Sequence, residues 1–115
     1  MNEQTAPATW DDFERLALRA GTVRQVEYFA EARKPAYKLW IDFGQYGIKQ
    51  SSAQLTVLYS RDTLLGRQVI CATGLIPKRV AGFKSEVLVT GFTREDGAIV
   101  LATIDQPVQD GSPLC

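Results

Sequence analysis

The sequence predicts an all-β domain: a five-stranded barrel with short helices and an additional C-terminal strand. Three observations carry that prediction. In residues 37–43, Tyr37, Leu39, Ile41 and Phe43 alternate with Lys38, Trp40 and Asp42, which is the pattern of a half-buried strand. Further strand-like runs fall at 18–29, 48–56, 67–75, 85–92 and 98–104, punctuated by Gly and Pro. Only 9–16 and 60–66 carry helix signals, and the second falls between the third and fourth strands.

The elements read in order as follows. Residues 1–8 form a flexible N-terminal arm, and 9–115 form a single domain, long enough to bury a core without disulfide staples. In "TWDDFERL", Thr9 caps a short helix with Asp12 in the capping-box position. Trp10, Phe13 and Leu16 give that helix an apolar stripe suited to packing. The first strand, 18–29, is interrupted at Gly21 as a bulge would interrupt it. A connection, 30–35, leads to the second strand, 37–44. The turn from Gly44 to Gly47 makes a hairpin with the third. Ser60 caps the helix at 60–66 and Gly66 stops it. The fourth strand covers 67–75, a loop 76–84, the fifth strand 85–92, and the sixth 98–104 after the turn "REDG".

Strand, strand, strand, short helix, strand, strand is the order of an OB-fold, a five-stranded Greek-key barrel whose ligands bind on strands 2 and 3 between the loops 1–2 and 4–5. Charge follows that layout. Residues 1–15 and 86–115 are net acidic, whereas 67–85 hold Arg67, Lys78, Arg79 and Lys84 without an acid. The first loop carries Arg33 and Lys34, and the second Lys78, Arg79 and Lys84. Strands 2 and 3 add Lys38 and Lys49 beside Gln50, Ser51, Ser52 and Gln54. Cations neutralise phosphates, while hydroxyls and amides fix position. The polar strand "IKQSSAQLT" is therefore a candidate contact surface. The alternative is structural: its side chains satisfy backbone groups at a barrel seam or a subunit interface.

Several classes are set aside. The chain has no histidine and two cysteines, Cys71 and Cys115, so no histidine-based triad or zinc site can form. No paired carboxylates fall in the basic region, so catalysis is not expected. No cofactor or metal is expected either. No apolar run approaches the about 18 residues of a membrane span. With no secretory signal recognisable in 1–8, a cytoplasmic location is expected.

The blocks "EARKPAYKLWIDFG", "GIKQSSAQLT", "LLGRQVI" and "IPKRVAGFKSEVLV" resemble the CsaA type of the tRNA-binding OB-domain family. That family includes the domain appended to methionyl-tRNA synthetases and free-standing structure-specific tRNA-binding proteins. The resemblance spans roughly residues 10–114. It implies a homodimer that recognises tRNA by shape and, for the CsaA type, binds unfolded or presecretory polypeptide. It also implies tRNA contacts at Ser85 and Leu88, where the family's usual Ser-Glu-Gly-Met reads Ser85, Glu86, Val87, Leu88. The synthetase catalytic domain has no counterpart here. Trp40 and Tyr46 are the candidate aromatics for a polypeptide, with ordinary packing as the alternative.

Overall fold

The computed structural model describes residues 6–115, so most of the arm expected over 1–8 lies outside the described residues. Helix α1 (Trp10–Arg15) leads into β1 (Leu18–Tyr28), β2 (Tyr37–Asp42) and β3 (Ile48–Ala53), followed by helix α2 (Arg61–Leu64). Then come β4 (Gln68–Ala72), β5 (Lys78–Val80), β6 (Phe83–Ser85), β7 (Leu88–Val89), β8 (Gly91–Thr93) and β9 (Ile99–Leu101). Five strands pair antiparallel in the order β3-β2-β1-β4-β7 and curl into a nearly closed barrel of the OB type.

Local chemistry places both helices. Thr9 and Asp12 exchange hydrogen bonds at 3.1 and 2.9 Å to open α1, and Ser60 and Thr63 do the same for α2. Leu64 of α2 is fully buried and plugs the barrel together with Val23, Leu39, Ile41, Phe43, Val69 and Cys71. Helix α1 differs from expectation. None of its residues is fully buried and Trp10 is 89% exposed, while Phe13 is half-buried, so its apolar stripe packs only in part against this chain.

The alternation of β2 is realised: Tyr37, Leu39, Ile41 and Phe43 point inward. The bulge in β1 does not sit at Gly21. The register slips between Val23 and Gln25, leaving Arg24 as the extra residue. Gly21 has a different reason. A Cβ there would lie 2.6 Å from both Ile41 Cγ2 and Phe43 Cε1, so only glycine lets these two side chains cross the strand.

The second half of the chain departs further from expectation. Residues 76–84, expected as a loop, contain the β5–β6 hairpin, turned at Ala81 (φ 46°) and Gly82 (φ 82°) as a type I′ turn requires. The expected fifth strand, 85–92, is divided. Leu88–Val89 pairs with β4, and Gly91–Thr93 leaves to pair with β9. At Gly91 a Cβ would meet the Val100 carbonyl at 2.7 Å, so the close approach of β9 selects glycine there. Arg94 holds Asp96 in the following turn, and their hydrogen bond lowers the Asp96 carboxyl to about 2. The tail then runs back along β1: Gly111 and Leu114 donate their backbone N–H groups to the Ala20 and Leu18 carbonyls, both at 2.8 Å.

Candidate nucleic-acid interface

The polar strand is first of all a seam. β3 is one edge of the sheet, and its neighbour across the gap is the stretch Lys84–Val87. The Glu86 N–H donates to the Gln50 carbonyl at 2.8 Å. The Gln50 N–H donates to the Glu86 carboxylate at 3.0 Å, and the Ser52 N–H to the Ser85 hydroxyl at 3.0 Å. The Gln50 side-chain amide donates to the Lys84 carbonyl at 2.8 Å. One backbone hydrogen bond and three that involve side chains thus take the place of a continuous ladder and close the barrel.

Register divides the β3 residues between two faces. Lys38 and Ser52, and Trp40 and Gln50, are cross-strand partners on the outer face. Ser51 is opposite Leu39 and fully buried, its hydroxyl turned to the Ser52 carbonyl at 3.3 Å; it has no surface for a ligand. Lys49, partner of Ile41, shares that inner face and is half-buried.

The β5–β6 hairpin lies over the outer face. Phe83 packs edge-on against Phe29 (5.5 Å between centroids) and Trp40 (5.9 Å). The Lys38 ammonium stands 4.8 Å from the Phe29 ring and 5.2 Å from the Phe83 ring. Trp40 and Lys38 are therefore engaged within the chain. Because Phe83 and Ser85 face the barrel, alternation turns Arg79 and Lys84 away from it. These two are direct cross-strand partners, both exposed. Arg79 donates to the Gly82 carbonyl at 3.1 Å. The ion pairs among the described residues join Arg15 to Asp12, Arg24 to Asp42 and Asp110, and Arg94 to Asp96. None of them involves Arg79 or Lys84.

Two cavities flank the hairpin. A cleft of about 450 Å³ is lined by Arg33, Lys34, Ser52, Gln54, Val80 and Ala81, so the first loop, the end of β3 and the hairpin tip meet there. Lys78 is at the root of the same hairpin, in a groove of about 530 Å³ with Leu16, Leu75, Ile76, Ser85, Glu86 and Leu88. The expected cations of both loops thus border one element. Tyr46 lies elsewhere, under the Arg19 guanidinium at 4.0 Å and against the tail; it shares no groove with Trp40. Sequence reasoning missed Leu75 and Ile76, an apolar pair exposed between Gly74 and Pro77. Ile76 is 92% exposed. The flanking Gly and Pro, which mark a loop, were the available signal.

Among the described residues no helix is long and apolar enough to cross a membrane.

Comparison with known proteins adds the following. Residues 18–113 match the family described as "Putative tRNA binding domain". The crystal structure of chaperone CsaA from Bacillus anthracis is 48% identical, covers 96% of this chain and 100% of its own, and superposes with a TM-score of 0.89. That of the CsaA chaperone protein from Picrophilus torridus is 41% identical over 95% of this chain and 100% of its own, with a TM-score of 0.87. A methionine–tRNA ligase of Methanococcoides burtonii is 33% identical over 91% of this chain, but the chain spans only 15% of that ligase's length.

Proposed function

We propose, for a chain that belongs to the tRNA-binding domain family and within it to the CsaA type, that it is a non-catalytic module gripping folded tRNA by phosphate contacts and outline. The observation that carries this reading is the Arg79–Lys84 pair. Like charges directly opposite one another on adjacent strands destabilise a hairpin, and here no acid among the described residues offsets them. A phosphate backbone is the partner that turns this cost into binding energy. Lys78 at the root, on the other face of β5, and Arg33 and Lys34 across the cleft add cations on either side of that pair. The Gln50 amide is spent on the Lys84 carbonyl, and the Lys38 ammonium stands against the Phe29 and Phe83 rings, whereas Ser52 lines the cleft beside Arg33 and Lys34. A folded duplex presents phosphates, 2′-hydroxyls and shape more readily than base edges, which fits a surface of cations and few amides. A cytoplasmic location goes with a tRNA ligand.

Titration of the purified protein with several tRNAs across a salt series tests this. Affinity should fall steeply and alike for all of them as salt rises; binding indifferent to salt overturns the reading.

A second reading, a chaperone for unfolded or presecretory polypeptide, has support of its own. The two structures above are named as chaperones, and Trp10, Val57, Ile76 and Phe92 are each more than two-thirds exposed. An unfolded polypeptide should then bind with little salt dependence, because apolar burial drives it. Both readings include a homodimer. The groove of about 710 Å³ between α1 and the tail, lined by Trp10, Phe13, Leu18 and Leu114, is the surface proposed for the second copy. Sedimentation at micromolar concentration should show twice the 12.7 kDa chain mass, and a monomer there refutes the dimer.

A further inference from the structure

We infer that the groove between α1 and the root of the β5–β6 hairpin receives an unpaired nucleotide of the bound RNA. This inference rests on the RNA reading above and adds a second kind of contact to it. The groove has apolar walls, Leu16, Leu75, Ile76 and Leu88, none of which is buried. Its volume of about 530 Å³ is within the roughly 300–1,000 Å³ of small-ligand pockets. Aliphatic walls of this kind offer an extruded base apolar contact in place of the neighbours it loses when it leaves a stack.

Charge argues for a nucleotide over an apolar peptide. Lys78 lines the groove and forms no ion pair among the described residues, and the Arg79–Lys84 pair begins one residue further along each strand. Arg15, on the opposite wall, is already paired with Asp12 at 3.8 Å. The cationic side is therefore the hairpin side, where a phosphate chain gripped by Arg79 and Lys84 would enter.

Glu86 also lines the groove, and its carboxylate lies at the edge where the groove meets the β3 seam. One of its oxygens accepts the Gln50 N–H at 3.0 Å, which pins the side chain; the other has no hydrogen-bond partner among the described residues. A fixed carboxylate oxygen repels phosphate but accepts an N–H, and each of the four bases carries an N–H on its Watson–Crick edge. In a duplex that N–H is spent on pairing and the base faces are spent on stacking. The groove thus selects unpaired nucleotides without selecting a sequence.

The probes are a blunt-ended RNA duplex and the same duplex with a single-stranded 3′ overhang. The wild-type protein should bind the overhung RNA several-fold more tightly, less than the roughly tenfold of a base stacked on an aromatic side chain, because the walls are aliphatic. Leu75→Ser with Ile76→Ser, both in a loop, should remove that difference and leave blunt-duplex affinity and thermal unfolding unchanged. Equal affinity of the wild type for both RNAs overturns the inference while leaving the phosphate reading intact. Failure of the phosphate reading shows separately, as salt-independent binding of both. If the double variant keeps the RNA preference but loses a carboxymethylated unfolded polypeptide, the groove is a polypeptide site and the inference is wrong.

Discussion

The backbone N–H of Ser52 donates to the hydroxyl of Ser85, 3.0 Å away, where the barrel has no strand to close it. Ser85 therefore has a structural task whatever it does for RNA. Ser85→Ala removes the acceptor and leaves a half-buried N–H unpaired, a loss of about 1–3 kcal/mol. Urea denaturation should show that loss as a lower midpoint. The salt slope of RNA binding should stay as it was, since no charge is removed. A variant as stable as the wild type would mean that water replaces the hydroxyl.

How much of this was legible in the sequence depends on where the signal resides. The alternation from Tyr37 to Phe43 and the Thr9–Asp12 and Ser60–Thr63 caps are side-chain patterns, and the structure follows them. The seam was legible only as an alternative, because polar residues on an edge look alike whether they serve a ligand or a neighbouring backbone. Ser51 was recoverable in principle: with a period of two, alternate residues of "IKQSSA" must face inward, opposite Leu39. The β5–β6 hairpin was hidden by strands of three residues and by Ala81 in the left-handed region, where glycine or asparagine is the usual marker. The return of the tail along β1 rests on backbone hydrogen bonds, which leave little trace in side-chain identity. The family resemblance supplied Ser85 and Leu88, and the structure places both in the groove beside Lys78.

Gly21→Ala tests the crossing of Ile41 and Phe43 over β1. The new methyl would lie 2.6 Å from each of them, and both are fully buried. Neither can move outward without opening the core. The expected destabilisation is about 1–3 kcal/mol, the range of an overpacked interior. Chemical denaturation measures it. A neutral result would show that the two side chains can shift together at little cost.

Cys71 predicts a loss of stability at alkaline pH. Burial pushes its thiol from 9.0 up to about 12, because the thiolate would be stranded among apolar neighbours. Below pH 9 both folded and unfolded chains keep the proton, so the full stability is present. Between about 9 and 12 only the unfolded chain releases it, so stability falls as pH rises through that window. Cys71→Ala lacks this contribution, so its melting temperature should fall less than that of the wild type between pH 8 and 11. In the native protein a thiol reagent should modify exposed Cys115 at once and Cys71 only on unfolding. Equal pH profiles for the two proteins would count against the burial argument.

The hairpin cations separate binding from folding. Arg79 and Lys84 face each other across β5 and β6, exposed and without an acidic partner among the described residues. Replacing either by Ala relieves a like-charge cross-strand contact, so Lys84→Ala should be as stable as the wild type or more stable by up to about 1 kcal/mol, and Arg79→Ala less so because it also loses the hydrogen bond to the Gly82 carbonyl. RNA affinity should move the other way. Each substitution should weaken binding to all tRNAs alike and lower the salt slope by about one unit, and the double variant by about two. Lys78, on the opposite face of β5, should show the same slope change without the gain in stability, because its cross-strand partner is Ser85. Fluorescence titrations over a salt series and thermal melts of the same preparations measure both quantities. If the double variant keeps the wild-type slope, these cations do not touch phosphate and the polypeptide reading becomes the better one.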